Sequence, residues 1–86
     1  MKAQEMFEKL GYVVEHRKKI GYANDEYVIY HKNIDYAQAF VFSKVNKTFW
    51  TCSYADIDKV SGEIYGVFPE EHSAIHQQMK ELGWIE

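Results

Sequence analysis

Apolar residues recur along this chain with two different periods, and the places where the period changes mark its elements. From Lys2 to Leu10, the residues Ala3, Met6, Phe7 and Leu10 fall three or four positions apart, which stacks them on one face of a helix. Gln4, Glu5, Glu8 and Lys9 take the outer face. Gly11 follows the last apolar position and can adopt the left-handed conformation that ends a helix, while Tyr12 can fold back onto the last turn. The far end of the chain repeats the device. Phe68, Ile75, Met79 and Leu82 form an apolar stripe, Pro69 suits a first helical turn, and Leu82-Gly83-Trp84 is the counterpart of Leu10-Gly11-Tyr12. Glu70 and Glu71 stand where carboxylates offset the positive end of the helix dipole, and Lys80 stands near the other end. The spacing predicts a helix over Pro69 to Leu82. It packs Ile75, Met79, Leu82 and Trp84 against a sheet beside Phe7 and Leu10, and turns Glu70, Gln77 and Glu81 outward, so that losing the Glu81 side chain would cost little.

Between the two helices the residues become β-branched and aromatic, with turn punctuation. Four strands fit: Tyr12 to Ile20, Glu26 to Lys32, Tyr36 to Ser43 and Thr48 to Tyr54, with breaks at Gly21 to Asp25 and Asn33 to Asp35. The short connection Lys44-Val45-Asn46-Lys47 makes the last two a hairpin. Glu63 to Val67 reads equally well as a fifth short strand or a loop. Helix, antiparallel strands and helix in that order imply an α+β fold, α-β-β-β-β-α, with both helices packed on one face of a sheet of about four strands. Alternation sends Tyr27, Ile29 and His31 to one face and Val28, Tyr30 and Lys32 to the other, while Phe40 and Phe42 oppose Ala39 and Val41. Both faces are then apolar. The face without helices calls for a partner, a second subunit, or cover from the Ala55 to Val67 segment.

At 86 residues the chain has room for one domain, and 47% hydrophobic residues with 14 aromatics exclude disorder. A net charge of -3 argues against a dedicated binder of nucleic acid or anionic membrane, and no apolar run is long enough to span a bilayer. Cys52 stands alone, so no internal disulfide forms, and a reducing cytoplasm is the expected setting. Met1 to Gly11 lacks the apolar core and cleavage site of a signal peptide and is expected to remain in place. Without an export signal, the glycosylation acceptor pattern at Asn46-Lys47-Thr48 has no chemistry to serve.

Candidate chemistry is sparse. His72 and His76 lie four apart on the second helix, a spacing that suits two metal ligands, but a third from His16, His31, Cys52 or a carboxylate is not fixed by the sequence. They read as half-buried boundary histidines. Cys52, with Trp50 and Tyr54 on its strand face, reads as a small buried hydrophobe rather than a nucleophile. Asp56 and Asp58 read as a solvated loop pair rather than a cation site. The five glycines are scattered as helix stops and turns, with no phosphate loop or dinucleotide fingerprint, and no cofactor is implied. Charge is more informative: residues 1 to 50 carry eight Lys or Arg against six Asp or Glu, and residues 51 to 86 carry two against seven. Arg17, Lys18, Lys19 and Lys32 lie among sheet aromatics, the mixture that single-stranded nucleic-acid binders use, although the same cations also blunt an exposed sheet edge.

MFEKLGY at Met6 to Tyr12, EYVIYHK at Glu26 to Lys32 and AIHQQMKELGW at Ala74 to Trp84 together resemble small uncharacterised proteins of phages and prophages of Gram-positive bacteria. The resemblance implies a bacterial cytoplasm and transfers no site residues. The expected function is that of a non-enzymatic accessory domain acting on a protein partner or on a second copy of itself, with Tyr27, Tyr30, Trp50 and Tyr54 as candidate partner surface. The alternative is nucleic-acid binding through Arg17, Lys18, Lys19 and Lys32.

Overall fold

The computed structural model describes residues 1–32, 37–58 and 66–85. Its elements run α1 (Ala3–Lys9), β1 (Val13–Ile20), β2 (Ala23–His31), β3 (Gln38–Ser43), β4 (Thr48–Ser53), a 3-10 turn at Tyr54–Asp56, and α2 (Pro69–Glu81). The strands form one antiparallel sheet in the order β1-β2-β3-β4, which is the α-β-β-β-β-α arrangement the sequence implies. The first connection is tighter than the sequence suggests. Ile20 pairs with Ala23 across Gly21 and Tyr22, and Gly21 supplies a φ of +57°, so β2 begins at Ala23 rather than Glu26. Ala23, Asn24 and Asp25 are poor strand formers, and the turn rather than their propensity pairs them. The break at Asn33 to Asp35, the Tyr36 start of the third strand and residues 63–65 of the possible fifth strand lie outside the described residues, while Gly66 and Val67 are not in a strand.

Both helices end in the same hydrogen-bonded loop. Gly11 and Gly83 take φ of +93° and +78°. Their N–H groups donate to Glu8 and Lys80 carbonyls at 3.0 Å, and those of Tyr12 and Trp84 donate to Phe7 and Met79 carbonyls at 3.0 Å. Tyr12 closes the first loop with its ring edge against Phe7. This turn throws the chain from α1 straight into β1.

Each sheet face carries its own cluster. On the helix side Phe7, Tyr12, Val28, Tyr30, Phe40, Phe42, Ala74 and Ile75 are buried, with Leu10, Met79, Leu82 and Trp84 packed at the margin as expected. Phe7 sits at the centre, 0% exposed, stacked on Tyr30 at 3.9 Å and within 6.5 Å of Tyr12, Phe40 and Phe42 ring centres. On the other face Tyr27, Ile29, Ala39, Val41 and Cys52 are buried with Ile57, and Trp50 and Tyr54 pack against them. Past a one-residue register shift between Arg17 and Lys19, Ile20 joins this cluster. The chain itself therefore supplies cover for the second face, through the segment after β4.

Polar groups on α2 correct two further expectations. Phe68 is not part of the buried stripe: it is the residue before the helix and is 69% exposed. Glu71 is buried instead. One of its oxygens accepts the Phe68 N–H at 2.9 Å and the other accepts the Tyr12 hydroxyl at 2.6 Å. Burial, together with that carboxylate, pushes the Tyr12 phenol well above its ordinary pKa. Gln78, also buried, accepts the Tyr30 hydroxyl. Glu81 is exposed, yet it accepts the Ala3 N–H of the other helix at 2.7 Å and a Gln77 amide at 2.9 Å, so it caps α1 from outside rather than idling in solvent.

Two phenylalanines separate the roles. Phe7→Ala should lower stability by about 3 to 5 kcal/mol and Phe68→Ala by less than about 0.5 kcal/mol. Urea melts of both variants check the assignment, and comparable losses would contradict it.

Candidate functional site

Residues able to do chemistry gather in two places. The first is the face without helices. The β1–β2 register sets Val13 opposite His31, Glu15 opposite Ile29 and Arg17 opposite Tyr27, so Glu15, Arg17 and His31 project to one side. Tyr54, in the turn after β4, crosses back over that face and stacks flat on the His31 ring with centres 4.0 Å apart. Its hydroxyl donates to Glu15 Oε1 at 2.6 Å, and His31 Nε2 lies 3.1 Å from the same oxygen. Arg17 Nε donates to the other Glu15 oxygen, while its Nη1 stands 3.6 Å from Asp58 Oδ2. Burial works to raise the Glu15 pKa. Hydrogen bonds from Tyr54 and Arg17, with the charge of Arg17 and of His31, outweigh it and hold the carboxyl below its ordinary range. The Tyr54 phenol is raised, first by its bond to that carboxylate and then by burial.

A base held below its ordinary range and a phenol held above its own are the reverse of an activated pair. The arrangement does something else. Together with the Gly21 N–H donating to Asp58 Oδ1 at 3.0 Å, it fastens the Tyr54 to Asp58 segment over the second cluster. Sequence reasoning missed it because Glu15, His31 and Tyr54 lie on three separate elements. Strand alternation aligns the first two, and only the turn back across the face after β4 brings the third.

The second place is a furrow on the helix side. A depression of about 320 Å³ is lined by residues that include Lys2, Val14, Val28, Leu82 and Glu81, and one of about 250 Å³ by Arg17, Lys18, Glu26 and Tyr27. His16 and Lys44 line both. His16, Lys18, Glu26 and Lys44 are exposed and Val14 is half-buried, while Lys44 Nζ lies 4.0 Å from Glu26.

The candidate residues read from the sequence do not form one surface. Tyr27 and Tyr30 are buried on opposite faces at 4% and 2% exposure, and Trp50 and Tyr54 are half-buried on the face of Tyr27. Of the four cations, Arg17 is engaged by Glu15, Lys32 lies over the Tyr12 ring at 4.9 Å, and Lys18 and Lys19 are exposed. Cys52 is buried in the second cluster. His72 and His76 are exposed rather than half-buried, and among the described residues no three of His, Cys, Asp or Glu gather as a metal site would need. The Asp56 side chain lies outside what is described. Among the described residues no helix is long and apolar enough to cross a membrane.

Comparison with known proteins returned no matching family model, no matching curated protein and no matching solved structure.

The latch predicts an acid dependence with a definite sign. Because the folded Glu15 pKa is depressed, its contribution is fully present above the ordinary glutamate value and is lost as pH falls through the lower folded value. Glu15→Gln should be about 1 to 3 kcal/mol less stable at neutral pH and should lose this part of the acid slope. Asp25, also lowered, keeps its slope in both proteins. Denaturant melts from neutral pH downward make the comparison, and parallel curves would show that the Glu15 contacts contribute nothing.

Proposed function

We propose that this chain is a non-enzymatic domain that acts by binding another protein, and that the helix-side furrow is its contact surface. The observation that carries the reading is the contrast between the two places where polar side chains gather. On the second face Glu15, Arg17, His31 and Tyr54 are occupied with one another, whereas His16, Lys18 and Lys44 stand exposed beside half-buried Val14 and Leu82. Half-buried apolar groups ringed by exposed charge are the make-up of a protein contact. Nucleic-acid binding draws on the same cations but needs rings on which bases stack, and the two tyrosines in the furrow walls are buried. In this proposal the setting is the cytoplasm of a bacterium carrying a phage or prophage, as the sequence resemblance implies, and a second copy of the chain is one form the partner could take.

A photo-crosslinking residue at position 44, with position 70 as an exposed control on α2, tests the surface in a lysate of such a host. A protein adduct at 44 and none at 70 is the expected result. No protein adduct at 44, equal adducts at both positions, or nucleic acid alone would overturn the proposal.

A further inference from the structure

We infer that the furrow accepts an acidic, extended polypeptide segment that carries one large apolar side chain a few residues from its carboxylates, an inference that rests on the protein-binding reading above. The furrow has two chemically different ends. At one, His16, Lys18 and Lys44 surround a depression in which Glu26 is the opposing charge, and Glu26 already faces Lys44. Lys18 and His16 are exposed and, among the described residues, ion-paired to nothing. At the other end, half-buried Val14 and Leu82 offer apolar surface beside Lys2, and the carboxylate there, Glu81, is committed to the Ala3 N–H and to Gln77. An incoming carboxylate therefore finds Lys18 without an acid partner at one end, with the His16 ring beside it as a further hydrogen-bonding group, and little repulsion at the other.

Spacing follows from β1 itself. Val14 and Lys18 sit four residues apart on β1, at most about 13 Å at about 3.3 Å per residue since the register shift falls at Lys18, which an extended segment of about four or five residues spans. Because β1 is an edge strand, with no strand on its outer side among the described residues, the furrow opens to the side of the molecule. Lysines on such an edge repel basic strands and gain nothing from apolar ones, which leaves an acidic strand as the one that fits.

Two other occupants fit less well. Nucleic acid would meet the cations but no exposed ring in the walls, since Tyr27 and Tyr30 are buried. A second copy of this chain would offer acid chiefly from α2, where Glu71 is buried, Glu81 is bonded to Ala3 and Gln77, and exposed Glu70 lies on a helix rather than on an extended segment.

The test is fluorescence anisotropy with the full chain and a labelled peptide that carries one leucine four positions before a pair of glutamates in glycine-serine flanks. Saturable binding that weakens about tenfold or more between about 50 and 300 mM salt is expected. Changing the leucine to serine, or the glutamates to lysines, should abolish it. The double variant Lys18→Glu with Lys44→Glu should weaken it about tenfold or more while melting like the parent, since both positions are exposed. Equal binding of the lysine peptide, indifference to the charge reversal, tighter binding of an oligothymidylate of similar length, or self-association that blocks the peptide would each overturn the inference. If position 44 crosslinks to a protein but the peptide does not bind, the acidic segment is refuted and the protein-binding reading stands. If neither occurs, both fall.

Discussion

A four-stranded sheet that is apolar on both faces has to be covered twice, and every other feature of this protein answers to that constraint. Phe40 and Phe42 face one way and Ala39 and Val41 the other along the same strand, all of them fully buried. A small domain hides a modest share of its surface, so neither face can be left to solvent. The two helices cover the first face around Phe7. The chain after β4 turns back with Tyr54 and Ile57 to contribute cover on the second.

Both covers are held by polar groups that reach from cover to strand or loop. Glu71 and Gln78 accept the hydroxyls of Tyr12 and Tyr30 beneath α2, and Glu81 accepts an N–H of α1, so the second helix is bonded both to the sheet and to the first helix. On the opposite side Glu15 gathers Tyr54, Arg17 and His31, and Asp58 holds the Gly21 turn. A third such group sits at the hairpin ends: Asp25 accepts Ser43 Oγ and the Val45 N–H at 2.9 Å, which ties the β3–β4 connection to the start of β2. Burial would raise the pKa of Asp25, yet these donors hold it lowered. Buried or half-buried polar groups are costly unless satisfied, and here their satisfaction fixes which segment lies on which face.

The same economy separates structural from exposed charge. Groups that a first reading of the chain offers as a possible metal ligand, His31, or as partner surface, Tyr54, are absorbed into the second cover. Charge remains outward along the edge strand β1 and the loop at Lys44. A binding function placed there uses surface that folding has not consumed.

The sequence by itself determined the element order and the two-faced sheet, because both rest on local rules: a period of three to four for helices, a period of two for strands, and glycine after the last apolar position of each helix. Leu10-Gly11-Tyr12 and Leu82-Gly83-Trp84 form matching hydrogen-bonded ends for that reason. Alternation likewise assigned Tyr27 and Tyr30 to opposite faces, although as a candidate surface they were grouped together. Tertiary structure decided which polar residues were partners. Glu71 and Gln78 look like solvent residues by type but share the helical face of Ile75 and Leu82 and are buried, where they meet the hydroxyls of Tyr12 and Tyr30 from far away in the chain, while Phe68 looks like core and is exposed because it precedes the helix. Glu15, His31 and Tyr54 had no shared pattern to reveal them. Their meeting depends on the fold back after β4, and a long-range contact of that kind leaves no periodic trace along the chain.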